Sequence, residues 1–152
     1  MTRIRRILHP SDFSPASRTA FTKAVELARS NRAELLLLYV LAPVMPAMGV
    51  EYVSPRVLED LMRATRSDAQ RHLTTLAARA KKAGVRVATL VVEGTPFTLI
   101  AKTAKAKRAD LIVVGTHGRS GLSKLFLCSV AERVVGTAPC PVLTVRGTSG
   151  RS

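Results

Sequence analysis

Hydrophobic residues follow two alternating patterns along this chain: short continuous runs, and longer segments in which apolar positions recur every three or four residues. The continuous runs predict strands buried on both faces, and the spaced stripes predict helices. The predicted strands cover 3–9, 34–41, 85–92, 110–115 and 142–146. Five strands interleaved with four helices indicate a doubly wound α/β fold with a parallel sheet and helices on both faces.

Local signals mark the predicted helix ends. Serine followed by proline, at 14–15 and again at 54–55, supplies an N-cap and a first helical residue. Gly84 ends the second helix as a C′ glycine. A helix from Ser54 to Gly84 would be about 45 Å long, so we expect it to bend or to begin after Ser54. Its helical pattern of apolar residues runs from Val57 to Ala80.

Composition bounds the class of protein. The chain has 152 residues, of which 47% are hydrophobic, and it is predicted to form a single domain over 1–147 with a disordered tail over 148–152. No apolar run is long enough to span a bilayer and the N-terminus lacks a signal core, which predicts a cytoplasmic protein without membrane contact. Two cysteines make neither a disulfide framework nor a zinc site.

The net charge of +14 raises the question of nucleic-acid binding. The basic residues are scattered over positions that predicted helices turn to solvent. Aromatic residues make up 4% of the chain and tryptophan is absent, so material for stacking on bases is scarce. A solvated basic surface is the preferred interpretation, and a specific nucleic-acid site is not expected.

In doubly wound sheets, ligands bind outside the carboxyl ends of the strands where the strand order reverses. This rule directs attention to the loops after the first and fourth strands. The first loop contains Pro10, Ser11 and Asp12, whose carboxylate could accept hydrogen bonds from a ribose or help to hold a metal ion. Equally, Asp12 could form an Asx turn or support the cap of the next helix.

The loop after the fourth strand contains Gly115, Thr116, His117, Gly118 and Arg119. Further on, Ser129 and Glu132 have the S-x-x-E spacing of a capping box, which predicts that the fourth helix starts there and covers about 129–137. A strand, a glycine-containing loop and a helix N-terminus in this order favour phosphate binding. Neither the P-loop pattern nor the dinucleotide-binding glycine pattern is present.

The sequence shows no clear arrangement of catalytic residues. His9 and His72 are interpreted as surface or edge residues, and His117 has no neighbouring nucleophile or carboxylate in sequence. No residues are therefore assigned a catalytic role, and the chain is not predicted to be an enzyme.

The chain resembles the universal stress protein family over essentially its whole length. The resemblance rests on the segments 7–14, 38–40, 115–125, 129–134 and 138–143. It implies a Rossmann-like fold with strand order 3-2-1-4-5 and a homodimer formed through the last strand, 142–146. In one branch of the family it also implies bound ATP, with the motif G-x2-G-x9-G-[ST].

The resemblance assigns roles to individual positions. Gly115, Gly118 and Ser129 match the phosphate motif, Asp12 matches the acidic position that contacts the nucleoside, and Val40 matches the position beside the adenine. The remaining members of the implied nucleotide site are Pro10, Ser11, Thr116, His117, Arg119, Cys128 and Val130. Mg²⁺ is expected with the nucleotide.

Cys128 departs from the motif, which has its third glycine there. If this residue needs a positive φ, a side chain costs about 1 kcal/mol or more. If it is extended before a Ser129 cap, cysteine is tolerated and its N–H can still contact the phosphates.

Three functional hypotheses follow. The first is an ATP-binding (or AMP- or ADP-binding) regulatory homodimer in the stress response. The second is a family member without nucleotide binding that acts through dimerisation or polyanion contact, and the third is a slow ATPase. The role of the loop over 42–53 stays open.

Overall fold

The computed structural model describes residues 3–42, 53–116 and 126–147. The elements, in chain order, are β1 (Arg6–Pro10), α1 (Pro15–Asn31), β2 (Glu34–Leu41), α2 (Pro55–Lys82), β3 (Arg86–Glu93), α3 (Pro96–Ala106), β4 (Leu111–Thr116), α4 (Phe126–Thr137) and β5 (Val142–Arg146). The predicted tail over 148–152 and most of the loop over 42–53 lie outside the described residues.

The strands form one parallel sheet in the order β3-β2-β1-β4-β5, which confirms the predicted doubly wound fold and its strand order. The chain runs outward from β1 through β2 to β3, then returns to place β4 on the other side of β1. The reversal therefore lies between β1 and β4. None of the helices in the described ranges is long and apolar enough to cross a membrane.

Alternate strand residues belong to two hydrophobic cores, one on each face of the sheet. On β1, Ile7 packs into the core with α1 and α2, whereas Leu8 packs into the core with α3 and α4. Val113 and Ile112 of β4 divide in the same way. This period-2 alternation with both faces apolar explains why the strands appear in the sequence as continuous hydrophobic runs.

Helix α1 begins as predicted and packs closely on the sheet. The N–H of Ser17 donates to Oγ of the N-cap Ser14 at 3.2 Å, and Pro15 is the first helical residue. The buried face of the helix consists mostly of alanines together with Phe21. Small side chains on this face let the helix axis approach the sheet.

Helix α2 corrects one expectation. It begins at Pro55 with Ser54 as N-cap and continues for 28 residues, or about 42 Å. The expectation that the helix starts later than this cap is therefore wrong. The amino half of this helix packs little against the rest of the domain, since Val57 is 48% exposed and Leu61 is 51% exposed. The helix can therefore be longer than the domain surface that it covers. The predicted end is confirmed, since Gly84 follows the helix with φ +86°.

Two further boundaries differ from the sequence prediction. Strand β1 begins at Arg6 rather than at residue 3, because its partner β2 begins at Glu34 and nothing earlier is available for pairing. Helix α4 begins at Phe126 rather than at Ser129. The segment 126–128 contains neither glycine nor proline, so nothing in it stops the helix from extending one turn towards its amino end.

Candidate functional site

A pocket of about 240 Å³ lies at the carboxyl ends of β1 and β2. Four predicted site residues, Pro10, Ser11, Asp12 and Val40, line it together. The other lining residues were not predicted; they are Tyr39, Leu41, Ala42, Thr65, Pro96 and Ile100. Pro96 could have been found, because it opens the helix that follows β3 and therefore also lies at a carboxyl strand end. Thr65 lies within α2 and carries no comparable signal.

The Asp12 carboxylate organises the loop after β1 with one of its two oxygens. Oδ1 accepts hydrogen bonds from the Ser14 N–H at 2.9 Å and from the Ser17 hydroxyl at 2.7 Å. The structural interpretation, an Asx turn that supports the helix cap, is thus realised. Within the described ranges Oδ2 accepts no hydrogen bond, so one charged acceptor at the pocket stays available to a ligand.

Phe13 has φ +64°, a left-handed conformation that is uncommon for an aromatic residue. Its ring lies between Tyr39 and His72, with centroid distances of 5.1 and 4.7 Å. Burial, and to a lesser extent the Asp12 charge, raises the pKa of Tyr39. The stack ties the loop after β1 to both β2 and α2, and it holds the backbone that presents Asp12. Nothing in the sequence pattern indicated this stack.

His9 is fully buried, so its interpretation as a surface or edge residue is wrong. Its Nδ1 donates to the Val113 carbonyl oxygen at 2.9 Å, and its ring lies 6.0 Å from that of Phe21. Among the described residues Nε2 has no hydrogen-bond partner. Burial lowers the pKa of His9 from 6.5 to about 4, which keeps the imidazole neutral at physiological pH. His72, by contrast, is exposed as predicted.

Gly115 lies within β4 and does not adopt a positive φ. A Cβ at this position would lie 2.6 Å from the carbonyl oxygen of Ala16, so α1 leaves no room for a side chain. Thr116 ends the strand and accepts the Gly147 N–H at 2.7 Å through its carbonyl. The glycine is thus explained by helix packing. His117, Gly118 and Arg119 lie outside the described residues.

Cys128, Ser129 and Val130 all lie inside α4. The capping box is therefore wrong, since Ser129 and Glu132 both follow the helix start. Neither conformation considered for Cys128 is adopted, because its backbone is helical. A helix that begins at Phe126 leaves the N–H groups of its first turn, as far as Cys128, without intrahelical partners. The Val130 side chain is buried in the core with α3.

The described residues hold no group of three or more histidine, cysteine, aspartate or glutamate side chains arranged to bind a metal ion. The crevice instead offers apolar walls and the Asp12 Oδ2, which accepts no hydrogen bond from a described residue. A model of the universal stress protein family matches residues 3–146. The chain belongs to the universal stress protein family.

Individual members of the family agree with this assignment. Universal stress protein MJ0531 of Methanocaldococcus jannaschii is 36% identical over 143 residues, covering 93% of this chain and 82% of the relative. Universal stress protein UspA from Lactobacillus plantarum has the same fold, with a TM-score of 0.81 and 30% identity, covering 96% of this chain and all of that one.

A universal stress protein family member from Arabidopsis thaliana, solved with AMP bound, has a TM-score of 0.69 at 24% identity. Coverage is 95% of this chain and 93% of the Arabidopsis chain. At that identity the likeness concerns the fold.

Proposed function

We propose that this universal stress protein binds an adenine nucleotide, with ATP as the expected form, and acts as a regulatory homodimer. The observation that carries the proposal is the Asp12 carboxylate, which lines the pocket with one oxygen committed to the loop and the other accepting no hydrogen bond from a described residue. A charged acceptor beside an apolar wall suits a nucleoside, which combines hydroxyl donors with a flat apolar base.

The described residues fit the adenosine half of such a ligand. Val40, Pro96 and Ile100 supply an apolar wall against which a base can lie, and Asp12 supplies an acceptor for ribose hydroxyls. Phosphates would extend towards the end of β4 and the first turn of α4, where unpaired N–H groups and the helix dipole favour negative charge. A bound Mg²⁺ would neutralise part of the triphosphate charge. The likeness in fold to the Arabidopsis protein that was solved with AMP bound supports an adenine nucleotide as the ligand.

The homodimer is proposed to form through β5. This strand is an outermost strand of the sheet and pairs only with β4 among the described strands. Its Leu143 is 36% exposed, and Val135 on the preceding helix is 56% exposed. Sedimentation of the wild type as a dimer, and of a Leu143→Lys variant as a monomer, is the expected result; a monomeric wild type would overturn this part. The cytoplasmic location stays a prediction.

Calorimetric titration with ATP and AMP, with and without Mg²⁺, tests nucleotide binding. The variant Asp12→Asn keeps an oxygen for Ser14 and Ser17 but loses the charge, and we expect at least about a 10-fold loss of affinity. Asp110→Asn, at the opposite edge of the sheet, is the matched control and should leave the affinity for AMP unchanged. No heat and no thermal shift of the wild type at millimolar nucleotide would overturn the proposal.

The Cys128 position separates the nucleotide-binding from the non-binding hypothesis. Because the backbone there is helical, its N–H is available whether the residue is cysteine or glycine. We therefore expect Cys128→Gly to leave nucleotide affinity within about threefold, as for a change below 1 kcal/mol. Binding that appears only in the glycine variant would support the non-binding hypothesis.

A further inference from the structure

A second pocket lies where the strands begin, which we call the amino edge of the sheet, whereas the nucleotide pocket lies where the strands end. The second pocket has a volume of about 420 Å³. Every residue that lines it is charged: Arg5, Arg6, Glu34, Arg86, Arg108 and Asp110. The sheet register aligns Arg6, Glu34 and Arg86 across three neighbouring strands. This concentration of charge is therefore built into strand pairing.

Both acidic residues of the pocket are already engaged by the protein. Asp110 Oδ2 accepts hydrogen bonds from the backbone N–H groups of Arg5 and Arg6, at 2.8 and 3.0 Å. Glu34 forms an ion pair with Arg6 at 3.7 Å. Arg6 also donates to the Lys107 carbonyl oxygen at 2.8 Å, at the carboxyl end of α3. One arginine and both carboxylates thus serve the fold.

The other three arginines of the pocket form no such ion pair. Within the described ranges, the guanidinium groups of Arg5, Arg86 and Arg108 have no carboxylate within 4 Å. Each guanidinium presents a rigid fork of N–H donors that matches two oxygens of a phosphate group. Three such forks around one concavity favour an anion with several phosphate oxygens.

The backbone at Arg108 adopts a conformation that favours glycine, so Arg108→Gly removes the side chain without straining the turn. Arg108 has φ +54°, and Arg32 in another helix-to-strand turn at this edge has φ +53°. A third such turn, between α2 and β3, has Gly84 at φ +86°. In this region of φ a side chain costs about 1 kcal/mol relative to glycine. The turn geometry alone would favour glycine at position 108.

We propose that this amino-edge pocket binds a compact anion containing two or more linked phosphoryl groups. Binding is independent of the nucleotide pocket, because the two pockets share no lining residue. A small anion is favoured over a nucleic-acid backbone because the guanidinium groups surround a concave volume.

Calorimetric titration with tripolyphosphate near physiological ionic strength, where long-range surface attraction is screened, tests this site. Arg108→Gly and Arg86→Gln should each weaken binding at least about 10-fold, as expected for a lost charge-assisted contact. Arg32→Gly is the matched control: it removes one charge at the same backbone conformation but outside the pocket, and affinity should change less than about twofold. Thermal midpoints of both glycine variants should equal or exceed the wild-type value, which excludes unfolding as the cause.

Three results would overturn the proposal. Equal losses in Arg108→Gly and Arg32→Gly would mean that the anion responds to the diffuse positive field of the protein. Displacement of tripolyphosphate by AMP would place the anion in the nucleotide pocket instead. Failure of tripolyphosphate to bind the wild type, whether or not a short DNA duplex binds, would remove the site.

Discussion

Asp12 and Asp110 lie at opposite edges of one parallel sheet, and each holds its surroundings with one carboxylate oxygen. Asp12 accepts from Ser14 and Ser17 just after it, whereas Asp110 accepts from the backbone N–H groups of Arg5 and Arg6 at the start of β1. Their surroundings differ. Asp12 lines a pocket with apolar walls formed by Pro96 and Ile100, whereas Asp110 shares its pocket with four arginines. A carboxylate that is held through one oxygen thus occurs in two sites of opposite character. The side chains across the pocket decide which ligand chemistry is possible.

The glycines at the two edges also differ, because a Cβ on Gly115 at the carboxyl edge would clash with α1 whereas one on Gly84 at the amino edge would meet no atom within 4 Å. Gly115→Ala tests that difference most strongly. The added Cβ would lie 2.6 Å from a backbone oxygen of α1, so the variant should lose about 3 kcal/mol of unfolding free energy or more. Denaturant unfolding measures this loss. Gly136→Ala is the control, because open space surrounds its Cβ and alanine favours the helix; an equal effect of both changes would contradict the packing argument.

Acid should lower the unfolding free energy of the protein through His9, which lies near the carboxyl end of β1. Its pKa is lowered from 6.5 to about 4 in the folded protein, so between these values the folded protein binds fewer protons than the unfolded chain. The stabilisation is complete above pH 6.5 and is lost as the pH falls to about 4, amounting to about 3 kcal/mol at most. Unfolding free energies from pH 7.5 to 4 should fall less steeply in His9→Asn, which can still donate to Val113. Parallel curves would exclude His9 as the source.

The stacked ring of Phe13 allows an internal comparison. Phe13→Ala and Phe13→Gly both remove the contacts with Tyr39 and His72, but only glycine adopts φ +64° without strain. Both variants should be less stable than the wild type, and the glycine variant should be more stable than the alanine variant by about 1 kcal/mol. Thermal unfolding distinguishes them. The reverse order would indicate that the loop backbone rearranges when the ring is lost.

Glu34→Gln should have the smallest effect on stability. The Arg6–Glu34 pair is partly exposed and its atoms are 3.7 Å apart, so its loss should cost less than about 0.5 kcal/mol. The same change removes a negative charge from the amino-edge pocket, and tripolyphosphate affinity should rise about twofold. Weaker binding by this variant would mean that Glu34 orients an arginine that the anion needs.

Much of the fold could be predicted because its strands are apolar on both faces, and this produces continuous runs that few other structures share. Pro10, Ser11, Asp12 and Val40 could be placed in one pocket by combining the strand-end rule with the family resemblance. Thr65 could not, since its approach to the pocket depends on how α2 crosses the sheet. The burial of His9 beneath α1 and the role of Gly115 likewise depend on contacts between segments distant in sequence.

Ala16 occupies an unusual position, because two glycines on neighbouring parts of the chain would each clash with it if they carried a Cβ. Gly115 approaches its carbonyl group from β4, and Gly147 approaches its Cα and Cβ just after β5. None of these contacts involves a long side chain that could change rotamer and absorb a displacement. In mechanical terms, Ala16, in the first turn of the helix that follows the Asp12 loop, is wedged against both β4 and the residue after β5. A side chain added at either glycine would therefore push on the helix turn that follows the Asp12 loop.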